Sequence, residues 1–246
     1  MENTQEIPIR NVAVVGASGA IGGALIDLFS DMSSVENIYA FSRKDIQLRN
    51  KKVKHAHLNY NDENTIKRAR ATLPKGMSLD ILVIATGMLH MEGVRPEKSI
   101  NEFDSETSYQ LYLNNTLGPS LIMKHFWDAL NSDRKSILAA IGARVGSITD
   151  NKLGGWYSYR SSKAALCMTI KSMSIEMSRR NKHMICVALH PGTVDSKLSQ
   201  PFQRHIDQSK IMTPHQSAQK LIDTIFNLSS RESGNHFAYD GSLIEP

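Results

Sequence analysis

The sequence predicts an α/β protein built on a doubly wound parallel sheet with helices on both faces. Three observations carry this. Short apolar runs alternate with helix-period segments from end to end. The best of those runs, NVAVVGA (Asn11–Ala17) and LDILVIATG (Leu79–Gly87), are continuously apolar rather than alternating, as strands buried on both faces are. A glycine-rich turn, GASGAIG (Gly16–Gly22), joins the first such run to the first helical one.

The elements follow in order. After the first strand, AIGGALIDLFSDM has apolar residues at helical spacing. ENIYAFSR is a second strand and VKHAHLNY a weaker third. DENTIKRARATL is a helix, with Asp62 as its cap and Pro74 beyond its end. The fourth strand, Leu79–Gly87, leads through a polar loop into a long helix from about Asp104 to Asn131. RKSILAAIGA is a fifth strand, and a glycine-rich loop precedes the helix containing WYSYRSSKAAL. HMICVALHPG is a sixth strand. A loop through Pro191–Thr213 comes before the helix PHQSAQKLIDTIFNL, and NHFAYDG supplies a last strand. No repeat, low-complexity segment or linker interrupts the 246 residues, so a single domain over 1–246 is expected.

Composition excludes several classes. The net charge of +5 is mild, and the one basic run, Leu48–His57, reads as a solvated loop and edge strand rather than a nucleic-acid patch. Two cysteines, Cys167 and Cys186, make no disulfide framework and fit a reducing cytoplasm. The polar start MENTQEIPIRN is neither a signal peptide nor an anchor, and no apolar run approaches the roughly 18 residues of a membrane span. His55 and His57 share a strand face without a third ligand, so no metal site is expected. His90 lies near the expected rim of the site and is read as packing there.

The glycine turn points to a dinucleotide. Its spacing is G-x-x-G-x-x-G, and its place between strand and helix is where glycines let the backbone approach a pyrophosphate at a helix N-terminus. Gly16, Ser18, Gly19, Ala20, Ile21 and Gly22 are the expected cradle. The second strand ends in Phe41-Ser42-Arg43, with no acidic residue until Asp45 to accept from a ribose 2′-hydroxyl. Ser42 and Arg43 suit a 2′-phosphate, so NADP(H) is expected over NAD(H), with NAD(H) still possible.

GASGAIG, LNNTLGP, YSYRSSK and HPGTV, in this order and across essentially the whole chain, resemble the short-chain dehydrogenase/reductase family. The wording GGWYSYRSSKAAL and LHPGTVDSKLSQPF is most similar to its C-factor-like and carbonyl-reductase-like branch. The resemblance implies a single Rossmann-type domain, a seven-stranded parallel sheet, and hydride transfer between a nicotinamide and a carbonyl or alcohol carbon. It implies Tyr159 as catalytic tyrosine, Lys163 as catalytic lysine, and Asn115 as the holder of a relay water. It places Pro191, Gly192 and Thr193 beside the nicotinamide. Ala85 and Gly87 fall beside the adenosine, with Thr86 where the family often has asparagine. Related proteins pair two long helices across a dimer interface, which implies a homodimer or homotetramer.

The residue chemistry agrees. A tyrosine with an ordinary pKa near 10 is a poor acid/base at neutral pH. A lysine four residues on shares its helix face, and its charge favours tyrosinate. Tyr157 has only Ser161 at that spacing, so Tyr159 with Lys163 is the pair. The family also expects a serine at the end of the fifth strand. Ala143 stands there, preceded by Gly142, and the loop to Tyr159 carries extra residues, Asp150–Gly155. Ser147 is therefore nominated to polarise the carbonyl. The methionines of this helix, Met168, Met173 and Met177, fit core or subunit packing.

The expected function is an NADP(H)-dependent oxidoreductase acting on a small carbonyl or alcohol, with no nucleic-acid or membrane partner. The alternatives are a non-enzymatic nucleotide-binding signalling or redox-sensing factor and, with a chain short for it, a nucleotide-sugar epimerase. Met88–Asp104 and Val194–Thr213 are the segments expected to choose the substrate.

Overall fold

The β-branched run NVAVV forms strand β1 (Asn11–Val15), with Val12 and Val14 packed into one side of the sheet and Ala13 and Val15 into the other. This two-sided burial is why the run is continuously apolar. The computed structural model describes residues 9–91 and 93–246; residues 1–8, which carry most of the polar start, lie outside the described residues.

Helix α1 (Ala20–Asp31) follows, then β2 (Asn37–Ser42), β3 (Val53–His57), α2 (Glu63–Ala71) and β4 (Ile81–Ile84). Next come α3 (Ser105–Tyr112), α4 (Gly118–Phe126), β5 (Ser136–Ile141), α5 (Tyr157–Arg180) and β6 (Met184–His190). The chain ends through two short strands, β7 (Thr193–Val194) and β8 (Ile211–Met212), then α6 (Pro214–Asn227) and β9 (His236–Ala238).

Seven strands form one sheet in the order β3-β2-β1-β4-β5-β6-β9, and every neighbouring pair is parallel. Helices α1 and α6 cover one face through Leu25, Phe29, Leu221 and Ile225. Helices α2, α4 and α5 cover the other through Ile66, Phe126, Leu166 and Ile170. Each such large apolar side chain contributes about 1.5–3 kcal/mol when fully buried. The chain reverses direction across the sheet between β1 and β4, which opens a crevice at their carboxyl ends. At the opposite end, the buried Asp80 carboxylate accepts from the Arg10 and Asn11 amides and from Arg134 at 2.7 Å, locking the sheet's floor.

The basic run behaves as an edge. β3 is the outermost strand, Lys52 donates to the Ser30 and Met32 carbonyls, and Lys54 lies over the Tyr39 ring. Asp62 caps α2 by accepting from the Asn64 amide. Among the described residues no helix is long and apolar enough to cross a membrane.

Two elements differ from expectation. The helix expected over Asp104–Asn131 is divided: α3 passes into a π-helical turn, Leu113–Leu117, before α4 begins. Pro119 has no N–H to give the Asn115 carbonyl four residues earlier, so the α ladder cannot close there and the helix widens. The Pro191–Thr213 segment, expected as a loop, contains the β7–β8 pair and 3-10 turns at Gln200–His205 and Gln208–Lys210.

Candidate active site

The crevice at the β1/β4 switch is floored by the glycine turn. Gly16 takes φ +90°, and its amide donates to the Phe41 carbonyl at 2.8 Å. A Cβ at Gly16 would sit 2.8 Å from the Ala85 carbonyl oxygen, and one at Gly22 only 2.2 Å from the Gly16 oxygen. Glycine is therefore required twice over, by conformation and by space. Gly19 caps α1 without a side-chain bond, and the first turn contains no acidic residue. The amides of Ala20, Ile21 and Gly22 are thus left for an anion at the positive end of the helix.

Above this turn lies a cavity of about 170 Å³, lined by Gly16, Ser18, Gly19, Ser42, Arg43, Ala85, Thr86 and Gly87. The same cavity holds Leu58, Asn59, Tyr60 and Asn114, which the sequence reading passed over. For Leu58, Asn59 and Tyr60 the signal was topological, since a loop leaving the third strand of a doubly wound sheet borders the same crevice; Asn114 comes from the π turn. Tyr60 and Thr86 share a hydroxyl hydrogen bond of 2.8 Å, and burial raises the Tyr60 pKa. Thr86 therefore fills the place of the family's asparagine as part of a pair. The Tyr60 ring lies over Gly118, where a Cβ would come within 2.1 Å of it.

Ser42 and Arg43 separate in role. Ser42 is buried, its hydroxyl donates to the Lys44 carbonyl at 2.6 Å, and it also meets His55 at 3.0 Å. Its one proton is thus committed, while Arg43 is exposed at the cavity mouth. His55 is a partner of Ser42, and His90 packs against Phe202 and reaches the Lys197 carbonyl at 3.3 Å.

The second half of the site is the N-terminal part of α5. Tyr159 and Lys163 are 7% and 1% exposed, one helical turn apart. Lys163 donates to the Ile141 carbonyl at 2.7 Å, and burial pushes its pKa down to about 8. Burial also raises the Tyr159 pKa. The Lys163 ammonium is directed at the carbonyl that ends β5. Gly87 connects the two halves. A Cβ there would lie 3.6 Å from Lys163 Nζ and 3.8 Å from Asn115 Oδ1.

Asn115 is fully buried, and its side chain is saturated. Oδ1 accepts from the Met88 amide, while Nδ2 donates to the Met88 carbonyl and to Ser162 Oγ. Its side chain fastens the β4 loop to α5, aided by Thr116 donating to the Ser162 carbonyl at 2.8 Å.

Ser147, nominated to polarise the carbonyl, is buried, and its hydroxyl accepts from the Asp150 amide at 2.9 Å, a bond that leaves its own proton to donate. Ala143, at the end of β5, is the residue that packs with Tyr159, in an apolar cluster with Leu89 and Leu111. At the start of the extra residues Asp150–Gly155, Arg144 pairs with Asp150 at 3.0 Å and Ser147 supports the turn. Trp156, Leu198 and Phe202 complete the wall around Tyr159. The wall is apolar and aromatic, with the Trp156 and Phe202 ring centres 5.2 Å apart.

On the other flank, Gly192 has φ +75°, the Pro191 carbonyl accepts from Ser217 at 2.7 Å, and Thr193 pairs with Ile211. Behind them His190 is half-buried and His236 buried, and both pKa values are lowered to about 4, first by desolvation and then by neighbouring charges, including Arg144. His236 Nε2 has no partner among the described residues and aims at Gly142, where a Cβ would be 2.9 Å away. The folded imidazoles resist protons that the unfolded chain accepts from its ordinary value of 6.5 downward. Stability is therefore full above pH 6.5 and falls as pH drops toward about 4. The melting temperature is expected to decline through that window, and less steeply in His236→Gln; an unchanged slope in the variant would contradict the assignment.

The arrangement can hold an anionic dinucleotide along the switch crevice and present one buried phenol, backed by a lysine, at its far end. Comparison with known proteins agrees. A 1-hydroxy-2-glutathionyl-2-methyl-3-butene dehydrogenase of Rhodococcus sp. (strain AD45) is 32% identical over 171 residues, 70% of each chain. The C-signal of Myxococcus xanthus is 29% identical over 146 residues, 59% of this chain and 82% of that one. The NADPH-bound carbonyl reductase from chicken fatty liver superposes with a TM-score of 0.84 at 24% identity, covering 98% of this chain and all of that one. Residues 10–207 match the short chain dehydrogenase family. By that match and by its fold, this chain belongs to the short chain dehydrogenase family of oxidoreductases.

Proposed function

We propose that this chain is an NADP(H)-dependent carbonyl reductase, working as one 1–246 unit, in which Tyr159 is the proton donor. The observation that carries the reading is the meeting, across Gly87, of the glycine-floored crevice with the buried Tyr159–Lys163 pair. The glycine cradle and the bare N-terminus of α1 fit a pyrophosphate, which would lie against the backbone of Gly16, Ser18 and Gly19 and take the amides of Ala20, Ile21 and Gly22. Arg43 fits a 2′-phosphate, Ala85–Gly87 with Tyr60 border the adenosine, and Pro191–Thr193 flank the nicotinamide. The NADPH-bound chicken structure supports the choice of cofactor.

NADPH supplies the hydride; the chain's residues manage the proton. Burial keeps Tyr159 protonated at neutral pH, the form an acid needs when a carbonyl oxygen becomes an alkoxide. Lys163 carries the charge that stabilises the tyrosinate left behind and can donate to ribose hydroxyls. Asn115, its side chain spent on Met88 and Ser162, serves the relay through its main-chain carbonyl in the π turn. Ala143 offers no hydrogen bond to the carbonyl, so the substrate's own electrophilicity matters more than with a serine there. The aromatic wall of Trp156 and Phe202 favours an apolar substrate.

A soluble, homodimeric protein of the cytoplasm completes the reading. Tyr109, Met168 and Ile175 are more than half exposed on α3 and α5, and a second copy would cover them. Met177 is buried, so the methionines divide between core and surface.

The test is a panel of ketones, aldehydes and quinones with NADPH, following its oxidation; no turnover on any of them sinks the proposal. Arg43→Ala is expected to weaken NADPH binding roughly 10- to 100-fold, the worth of charge-assisted phosphate bonds, and to leave NADH binding unchanged. Equal weakening of both would remove the 2′-phosphate role.

A further inference from the structure

Helix α5 begins in an unusual way. Gly154, Gly155 and Trp156 all have positive φ, and Trp156, at φ 52° and ψ 42°, is the one non-glycine residue in that region among the described residues. A bulky residue held left-handed is strained and persists only where its surroundings over-determine it. Trp156 is also the N-cap of α5 and makes no side-chain capping bond.

Both deficits are met by one residue 59 positions earlier. Glu97 is 3% exposed, in the loop between β4 and α3. Its main-chain carbonyl accepts the Trp156 amide at 2.5 Å, which fixes the left-handed turn. Its carboxylate accepts the Ser158 amide with both oxygens, at 3.3 and 3.4 Å, and accepts the Ser158 hydroxyl as well. Ser158 in turn receives Ser108 of α3 at 2.6 Å. No cation stands within ion-pair distance of Glu97 among the described residues. Its charge is balanced by the N-terminus of a 24-residue helix and by hydroxyl donors. Trp156 and Tyr159 bracket this latch, with ring centres 6.2 Å apart.

We infer that Glu97 is a positioning residue: it caps α5 from the substrate-side loop, holds the strained Trp156 turn, and so sets the Tyr159 hydroxyl and the Trp156 ring against the reacting carbonyl. The inference rests on the carbonyl-reductase reading for its kinetic consequence and on the fold alone for its structural one. It also ties the loop to the acid/base helix. That loop cannot lift from the site without releasing the helix N-terminus.

Glu97→Ala is expected to lower kcat roughly 30- to 100-fold, the scale of a misplaced reacting group, with NADPH affinity kept within about twofold. Glu97→Gln, which retains an acceptor, should recover a large part of that loss. A second readout needs neither substrate nor cofactor. In a Trp127→Phe background the remaining tryptophan is Trp156, and its fluorescence should become markedly more accessible to acrylamide in Glu97→Ala. If the Glu97 variants melt earlier yet keep wild-type kcat below their melting point, or if Trp156 accessibility is unchanged, Glu97 only stabilises the fold and the inference fails. Wild-type inactivity on every carbonyl would instead fail the reductase reading, and the fluorescence would still decide the inference.

Discussion

Tyr159→Phe should lower carbonyl reduction by roughly 10²–10⁴-fold, the range that a positioned acid contributes. The substitution removes one oxygen from a ring that is 7% exposed and packed against Ala143, Leu89 and Leu111. The ring and its packing remain, so the melting temperature should scarcely move. NADPH affinity should stay within about twofold, because the loss falls on the transition state alone. The check is kcat and the fluorescence Kd measured on the same preparation. Retained activity would mean the proton comes from elsewhere, and the apolar wall offers no ready substitute.

Ala143→Ser is expected to raise kcat, by roughly 10- to 100-fold for a substrate with an unactivated ketone. A single donor to a developing oxyanion is worth about that much or more. Ala143 has an ordinary extended backbone, φ −157°, so a serine is tolerated there, and it faces Tyr159 within one apolar cluster. The matching control is Ser147→Ala. Its hydroxyl accepts from the Asp150 amide, so its removal should loosen the 148–150 turn and leave kcat nearly unchanged. The reverse pattern, a large loss in Ser147→Ala with no gain in Ala143→Ser, would return the polarising role to Ser147.

How much of this was legible in the sequence varies by element for physical reasons. β1, β5 and β6 were readable because strands buried on both faces must be apolar throughout. The glycine turn was readable because Gly16 and Gly22 have no room for a side chain. The β7–β8 pair was not, since two-residue strands have no period to detect. The π turn left only an indirect mark, Pro119 four residues after Asn115. Tyr159 and Lys163 could be named from spacing, but the Lys163 contact with Ile141 could not, because it joins a helix to a strand end 22 residues earlier. Glu97 was hidden altogether: a glutamate in a polar loop looks solvated until the fold brings it under α5. Ser42 illustrates a subtler limit. Its type suited a phosphate, yet the carbonyl of Lys44, two residues on, takes its proton.

These cases share a pattern. Backbone requirements and burial write themselves into local sequence, while hydrogen bonds between distant elements do not. The candidate site is made from both: a crevice dictated by glycines and apolar strands, and a tyrosine-bearing helix tied across the fold by the bonds of Glu97 to Ser158 and of Asn115 to Ser162.

The most direct test of the central claim is a titration of the purified protein with NADPH and, in parallel, NADH, following nicotinamide fluorescence. A 2′-phosphate bonded by Arg43 predicts saturable binding of both, with NADPH at least about tenfold tighter. Binding of neither would contradict the account, since the glycine-floored crevice would then not be a dinucleotide site.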